Sequence, residues 1–190
     1  MKKILIAIMI FCVSSTTAMA KVYVDLNGAY INTGDAETQI GFGGGLAFSL
    51  SREFNLIYRG MKSSATKDAN DWNEKNYDHM MQMLGLEYCM PISTTRFSWK
   101  TSLLAGYSST SLQKEESFWI YDYSDDGFAV AAWTGITFNA TQWLSPFIDV
   151  GYHYSYYTGE LQDDSISGLM VMAGVRICVW GPTKRIDDSY

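Results

Sequence analysis

Eight stretches of this chain alternate apolar residues with small or polar ones at a period of two, and beyond residue 20 no apolar run approaches a helical span. Successive side chains of a strand point to opposite faces, so a chain patterned in this way folds as half-apolar sheet. The alternation predicts strands near residues 21–31, 38–49, 53–62, 77–90, 96–108, 127–139, 143–157 and 166–180. In the first, Val22, Val24, Leu26 and Tyr30 oppose Tyr23, Asp25, Asn27 and Ala29; in the last, Leu169, Val171, Val175 and Ile177 oppose Gly168, Met170, Gly174 and Arg176. The connections alternate too. Residues 50–52, 91–95 and 140–142 are short, whereas 32–37, 62–76, 109–126 and 158–165 are longer and polar. That rhythm predicts an all-β, eight-stranded antiparallel up-and-down barrel with both termini at its short-turn end.

The N-terminus reads as a separate unit. Lys2 and Lys3 precede an apolar stretch from Ile4 to Val13 and a small-residue end, Ala18-Met19-Ala20. This is the order of a secretory signal peptide, so residues 1–20 are expected to be removed and the barrel to occupy 21–180. Pro182 should stop the last strand, leaving 181–190 as a polar tail. Without Lys2 and Lys3 the 14 basic residues fall to 12 against 20 acids, a balance that disfavours a nucleic-acid partner. Of the cysteines only Cys89 and Cys178 lie beyond the signal. They are too few for a disulfide framework and have no metal-like spacing, and His79 and His153 are expected to be isolated from them and from each other, so no metal or cofactor is expected.

Alternation does not say which face is inside. A soluble ligand-binding barrel would turn the apolar face inward, and a transmembrane barrel would turn it out. The less apolar face is rich in Gly, Ala and Ser, which suit a crowded lumen, and carries few charges for a wetted surface. Its charges, Asp25, Arg59, Glu87, Lys100, Asp149 and Arg176, are three acids and three bases. Enclosed charges must be paired to offset desolvation, so the balance suits an interior network. On the apolar face Phe48, Phe54, Tyr88, Phe97, Trp99, Phe138 and Trp180 lie near the short turns, and Tyr30, Tyr58, Tyr77, Tyr107, Phe128, Tyr154 and Tyr156 near the long connections. Two aromatic belts flanking aliphatic residues match the two interfaces of a bilayer, and the transmembrane barrel is the expected form.

The segment "FIDVGYHYSYYTGELQDDSISGLMVMAGVRICVW" resembles the final strand pair of the small outer-membrane barrels, the membrane domain of outer-membrane protein A and the outer-membrane protein X and Ail type. The likeness in architecture spans the chain beyond the signal, and the local motif its last quarter. Gly174, Ile177 and Val179 also resemble the terminal signal read by the barrel-assembly machinery, although here residues follow Trp180. The resemblance implies a bacterial outer-membrane location, with outer-membrane lipid, lipopolysaccharide and the assembly machinery as partners and a monomeric state.

Three features bear on chemistry. His153-Tyr154-Ser155 resembles the His-x-Ser of outer-membrane lipid A deacylases, with Glu160 or Asp163 as an orienting acid, but the Asn that follows in that family is Tyr156 here. The parity also puts His153 and Ser155 in the lumen, away from lipid, so two lumen residues and no enzyme are expected. The six lumen charges suit a structural plug better than an ion path, because eight strands leave an interior that side chains fill. The connection 109–126 joins Glu115, Glu116 and Asp122 to Phe118, Trp119, Tyr121 and Tyr123. Exposed aromatics on a loop held by a rigid scaffold mark it as the candidate extracellular interaction surface, for a ligand the sequence does not name.

Overall fold

A computed structural model describes residues 21–33, 37–70, 73–93, 95–116, 119–157, 159 and 167–181. The predicted signal segment, Glu160, Asp163, Phe118 and the tail from residue 182 lie outside them. The chain forms β1 (Val22–Thr33), β2 (Glu37–Ser49), β3 (Phe54–Asn70), β4 (Asn73–Pro91), β5 (Phe97–Glu116), β6 (Trp119–Phe138), β7 (Leu144–Tyr157) and β8 (Gly168–Trp180). Each strand pairs antiparallel with its neighbours in sequence, and β8 pairs with β1 to close the barrel. Closure leaves no edge along the barrel wall, whereas among the described residues β3 beyond Ser64 and β6 before Gly127 pair on one side only.

The short turns are built from hydroxyl caps. Ser51 Oγ accepts from the amide of Phe54 at 3.1 Å, Thr95 Oγ1 donates to the carbonyl of Ile92 at 2.6 Å, and Thr141 Oγ1 accepts from the amide of Leu144 at 3.0 Å. Ser and Thr favour such sites because their side chains satisfy backbone groups that a tight turn leaves unpaired.

The parity of every strand is as the alternation implied, with the apolar face outward. Ile40 and Phe42 are each 73 % exposed and Leu103 68 %, whereas the small and polar residues of the opposite face are buried. One aromatic placement differs from the sequence reading, and a second, Trp180, is outward as read but by way of a bulge. Tyr77 points inward and is buried, one residue out of phase with Met80, Leu84 and Leu86 on β4. Trp180 would face the lumen by parity, but the β1–β8 register shifts between Val22 and Tyr23, so that Val179 is the extra residue and Trp180 turns outward. Such a bulge re-aims a side chain at a barrel rim.

The larger correction concerns the long connections. Residues 62–70, 73–76, 109–116 and 119–126 are strand, not loop, so β3–β4 and β5–β6 are two long hairpins in one continuous ladder. Polar side chains dominate both faces of 62–70 and 73–76, and in 109–126 apolar residues fall on both faces, Ile120 outward and Leu112 inward, so the alternation gives no clean signal there.

Candidate functional site

The lower lumen holds one alternating line of charge, Glu87–Arg176–Asp25–Arg59–Asp149–Lys100. Arg176 on β8 donates from Nη1 to Glu87 Oε1 at 2.5 Å and from Nη2 to Glu87 Oε2 at 3.0 Å, while its Nε and Nη2 reach Asp25 at 2.7 Å. Arg59 links the two halves, with Nη2 3.2 Å from Asp25 Oδ2 and Nη1 3.4 Å from Asp149 Oδ2. Lys100 Nζ ends the line 2.9 Å from Asp149 Oδ2. Asn55 Nδ2 adds a donor to Glu87 at 2.9 Å.

Aromatic rings face the cations. Arg59 lies 4.7 Å over Trp133, and Lys100 Nζ sits 3.7 Å over the ring of Phe147. All six charged side chains are at most 7 % exposed, so desolvation is met by ion pairs, amides and ring faces within the lumen.

Space for these groups comes from glycine. A Cβ at Gly135 would collide with the Asp149 carboxylate, and one at Gly151 would collide with the Trp133 ring. Glycine is required at both positions because a neighbouring side chain or backbone already fills the space.

Above this line the lumen changes character. On β4, Met81 and Met83 separate Glu87 from His79; on β8, Met170 and Met172 separate Arg176 from Gly168; on β5, Leu104 separates Lys100 from Ser108. These residues join Ile31 and Met61 in one buried apolar cluster. Higher still is a hydroxyl and imidazole network. His79 Nε2 and Ser108 Oγ are 2.8 Å apart, Tyr157 Oη is 2.6 Å from Ser108 Oγ and 2.7 Å from Thr110 Oγ1, and Ser108 Oγ is 3.2 Å from Ser155 Oγ.

The two histidines, far apart in sequence, stack here with ring centroids 5.6 Å apart, against the expectation that they stand alone. They sit on β4 and β7, which are not neighbours, so only closure of the barrel brings them together. His153 and Ser155 lie in this network, buried in the lumen, with no access to lipid outside the wall. Among the described residues no group of three or more His, Cys, Asp or Glu could hold a metal ion. Cys89 and Cys178 are free and not bridged.

Of the candidate interaction surface, Glu115 and Glu116 lie on β5, and Trp119, Tyr121, Asp122 and Tyr123 on β6. Tyr121 and Tyr123 stack at 6.5 Å, and Asp125 Oδ2 accepts from the amide of Gly159 at 2.7 Å, tying this hairpin to the β7–β8 connection. Residues 32–37, 62–78, 109–126 and 158–165 together hold 14 acids and 4 lysines, so the long-hairpin end is strongly acidic.

No protein-family model and no curated protein matches the chain. Solved structures do. Ail, the attachment invasion locus protein of Yersinia pestis, superposes with a TM-score of 0.58 at 14 % identity, covering 85 % of this chain and 100 % of that one. A major outer membrane protein from Thermus thermophilus gives 0.54 at 13 % identity, covering 83 % of this chain and 98 % of that one. Neisserial surface protein A gives 0.52 at 12 % identity, over 84 % and 96 %. The chain has the fold of the small outer-membrane β-barrels.

An outer-membrane barrel's lipid face is an apolar band between two aromatic girdles, and this barrel has that face. Phe54 packs on Tyr88, and Phe97 on Phe138, each pair with centroids 5.1 Å apart, at the short-turn girdle. Tyr30, Tyr58, Tyr107, Phe128, Tyr154 and Tyr156 form the other girdle, and Leu26, Leu84, Leu86, Leu103, Ile148 and Val171 lie between. So large a contiguous apolar surface is incompatible with water and is the surface that lipid covers. Ail has also been solved in complex with the heparin analogue sucrose octasulfate.

Proposed function

We propose that this protein is a closed outer-membrane barrel that carries a surface-interaction face on its two long hairpins. The observation that carries the reading is the lumen's stratification. An ionic line, an apolar layer of methionines and a hydrogen-bonded histidine and tyrosine layer follow one another along the axis, which suits a plug. The six charges hold the wall together, and the hairpins β3–β4 and β5–β6 are the part that meets partners. Outer-membrane lipid, lipopolysaccharide and the assembly machinery are the expected surroundings of such a barrel.

The acidic hairpins argue against a polyanion of the kind bound by Ail, because like charge repels such a ligand on approach. The lipid A hydrolase reading has little support, since His153 and Ser155 are enclosed. Planar-bilayer recording of the purified barrel tests the proposal. A closed baseline is expected, and a steady high conductance would replace the plug with a pore.

A further inference from the structure

We infer that the outer wall of the protruding hairpins holds a binding site for the neutral saccharide of a glycolipid lying beside the barrel. The inference rests on the outer-membrane reading above. A cleft of about 510 Å³ is lined by residues of β3, β4, β5 and β6. Seven of its lining side chains belong to two adjacent outward rungs of the ladder. Ser64, Asp78, Ser111 and Ser124 pair across four strands in the lower rung, and Asn76, Gln113 and Asp122 across three in the upper.

The height of the cleft selects the ligand. Gln82, Tyr107 and Phe128 form one outward rung of the interfacial girdle, and the lower rung of the cleft is two rungs, or four residues, farther out. With a rise of about 3.4 Å per residue and a strand tilt near 40°, the cleft begins about 10 Å above the girdle. A phospholipid headgroup region is only about 5–8 Å deep, so it ends below the cleft. Among membrane lipids, only one that carries sugars outward reaches it, and such a lipid arrives from the side, the direction in which both rungs face.

The chemistry agrees. Hydroxyls and amides both donate and accept, and carboxylates accept from paired hydroxyls, which matches a sugar's array of donor-acceptor groups. None of the seven side chains is cationic, and Asp78 and Asp122 disfavour phosphorylated or acidic sugars. Lys62, exposed and 3.4 Å from Asp78, lies one rung below and is paired with that carboxylate.

The test is ¹⁵N NMR of the full barrel in three nanodiscs: phospholipid alone, phospholipid with lipid A, and phospholipid with lipopolysaccharide carrying neutral core hexoses. The Gln113 and Asn76 side-chain amide signals should move only in the third. A Gln113→Ala, Asp122→Ala double variant should retain the lipopolysaccharide about tenfold less well, with lipid A retention unchanged. Equal shifts with lipid A, an unaffected variant, or equally tight binding of the free core oligosaccharide to phospholipid discs would each overturn the assignment. Heat-modifiable mobility and protease clipping of the hairpins on intact cells report separately on the outer-membrane reading, so its failure is distinguishable.

Discussion

Arg176 reaches across the lumen from β8 to Glu87 on β4, with Nη1 2.5 Å from Oε1, and holds opposite walls of the barrel together. Removing one partner from a buried pair leaves an uncompensated charge. Glu87→Gln should therefore destabilise the barrel by about 3 kcal/mol, read as a shift in urea unfolding in lipid vesicles. Asp25→Asn should cost more, because Asp25 serves both Arg59 and Arg176. Glu115→Gln, on the hairpin end, should change little, and equal effects at all three positions would contradict a buried network.

That network was partly legible in the sequence. Parity at period two placed all six charges on one face, and chain position placed them near one end. Their order along the line was not legible, because Arg59 meets Asp149, and Arg176 meets Glu87, across the lumen rather than across a ladder. The same holds for the His79 and His153 stack. The hairpin lengths were hidden for a different reason. Polar residues predominate on both faces of Ser63–Asn70 and Asn73–Asn76, and the strands there are sustained by ladder hydrogen bonds together with a small cluster of Tyr77, Leu112 and Tyr123.

The barrel's glycines should separate into essential and replaceable ones according to the face they occupy. A Cβ at Gly151 would run into the Ala132 carbonyl and the Trp133 ring, displacing the ring on which Arg59 stacks. Gly151→Ala should cost about 1–3 kcal/mol by overpacking. At Gly28, on the lipid side, the nearest atom is 3.9 Å away. Gly28→Ala should be neutral or slightly stabilising in the same unfolding assay.

Cys89 and Cys178 are both free, the first 3.4 Å from Glu87 Oε1 and the second 3.5 Å from the Trp180 carbonyl. Denatured protein prepared without reductant should take up two maleimides in the mature chain, measured by mass. Uptake only after reduction would reveal a bridge that the regular barrel does not provide.

The outward face admits a test that water and lipid answer differently. Leu103 is 68 % exposed on β5, midway between Trp99 and Tyr107, which mark the two girdles. On a soluble barrel Leu103→Arg would be a surface change worth less than about 0.5 kcal/mol. In a bilayer it places a cation at the midplane, at a cost of about 2–4 kcal/mol. At Trp180, on the rim, the bulge sets the side chain near the interface, where Trp180→Arg should cost only about 0–1 kcal/mol. Reversible unfolding of both variants in vesicles should therefore show a depth-dependent penalty. The same variants with equal, small effects would mean that lipid does not cover this wall.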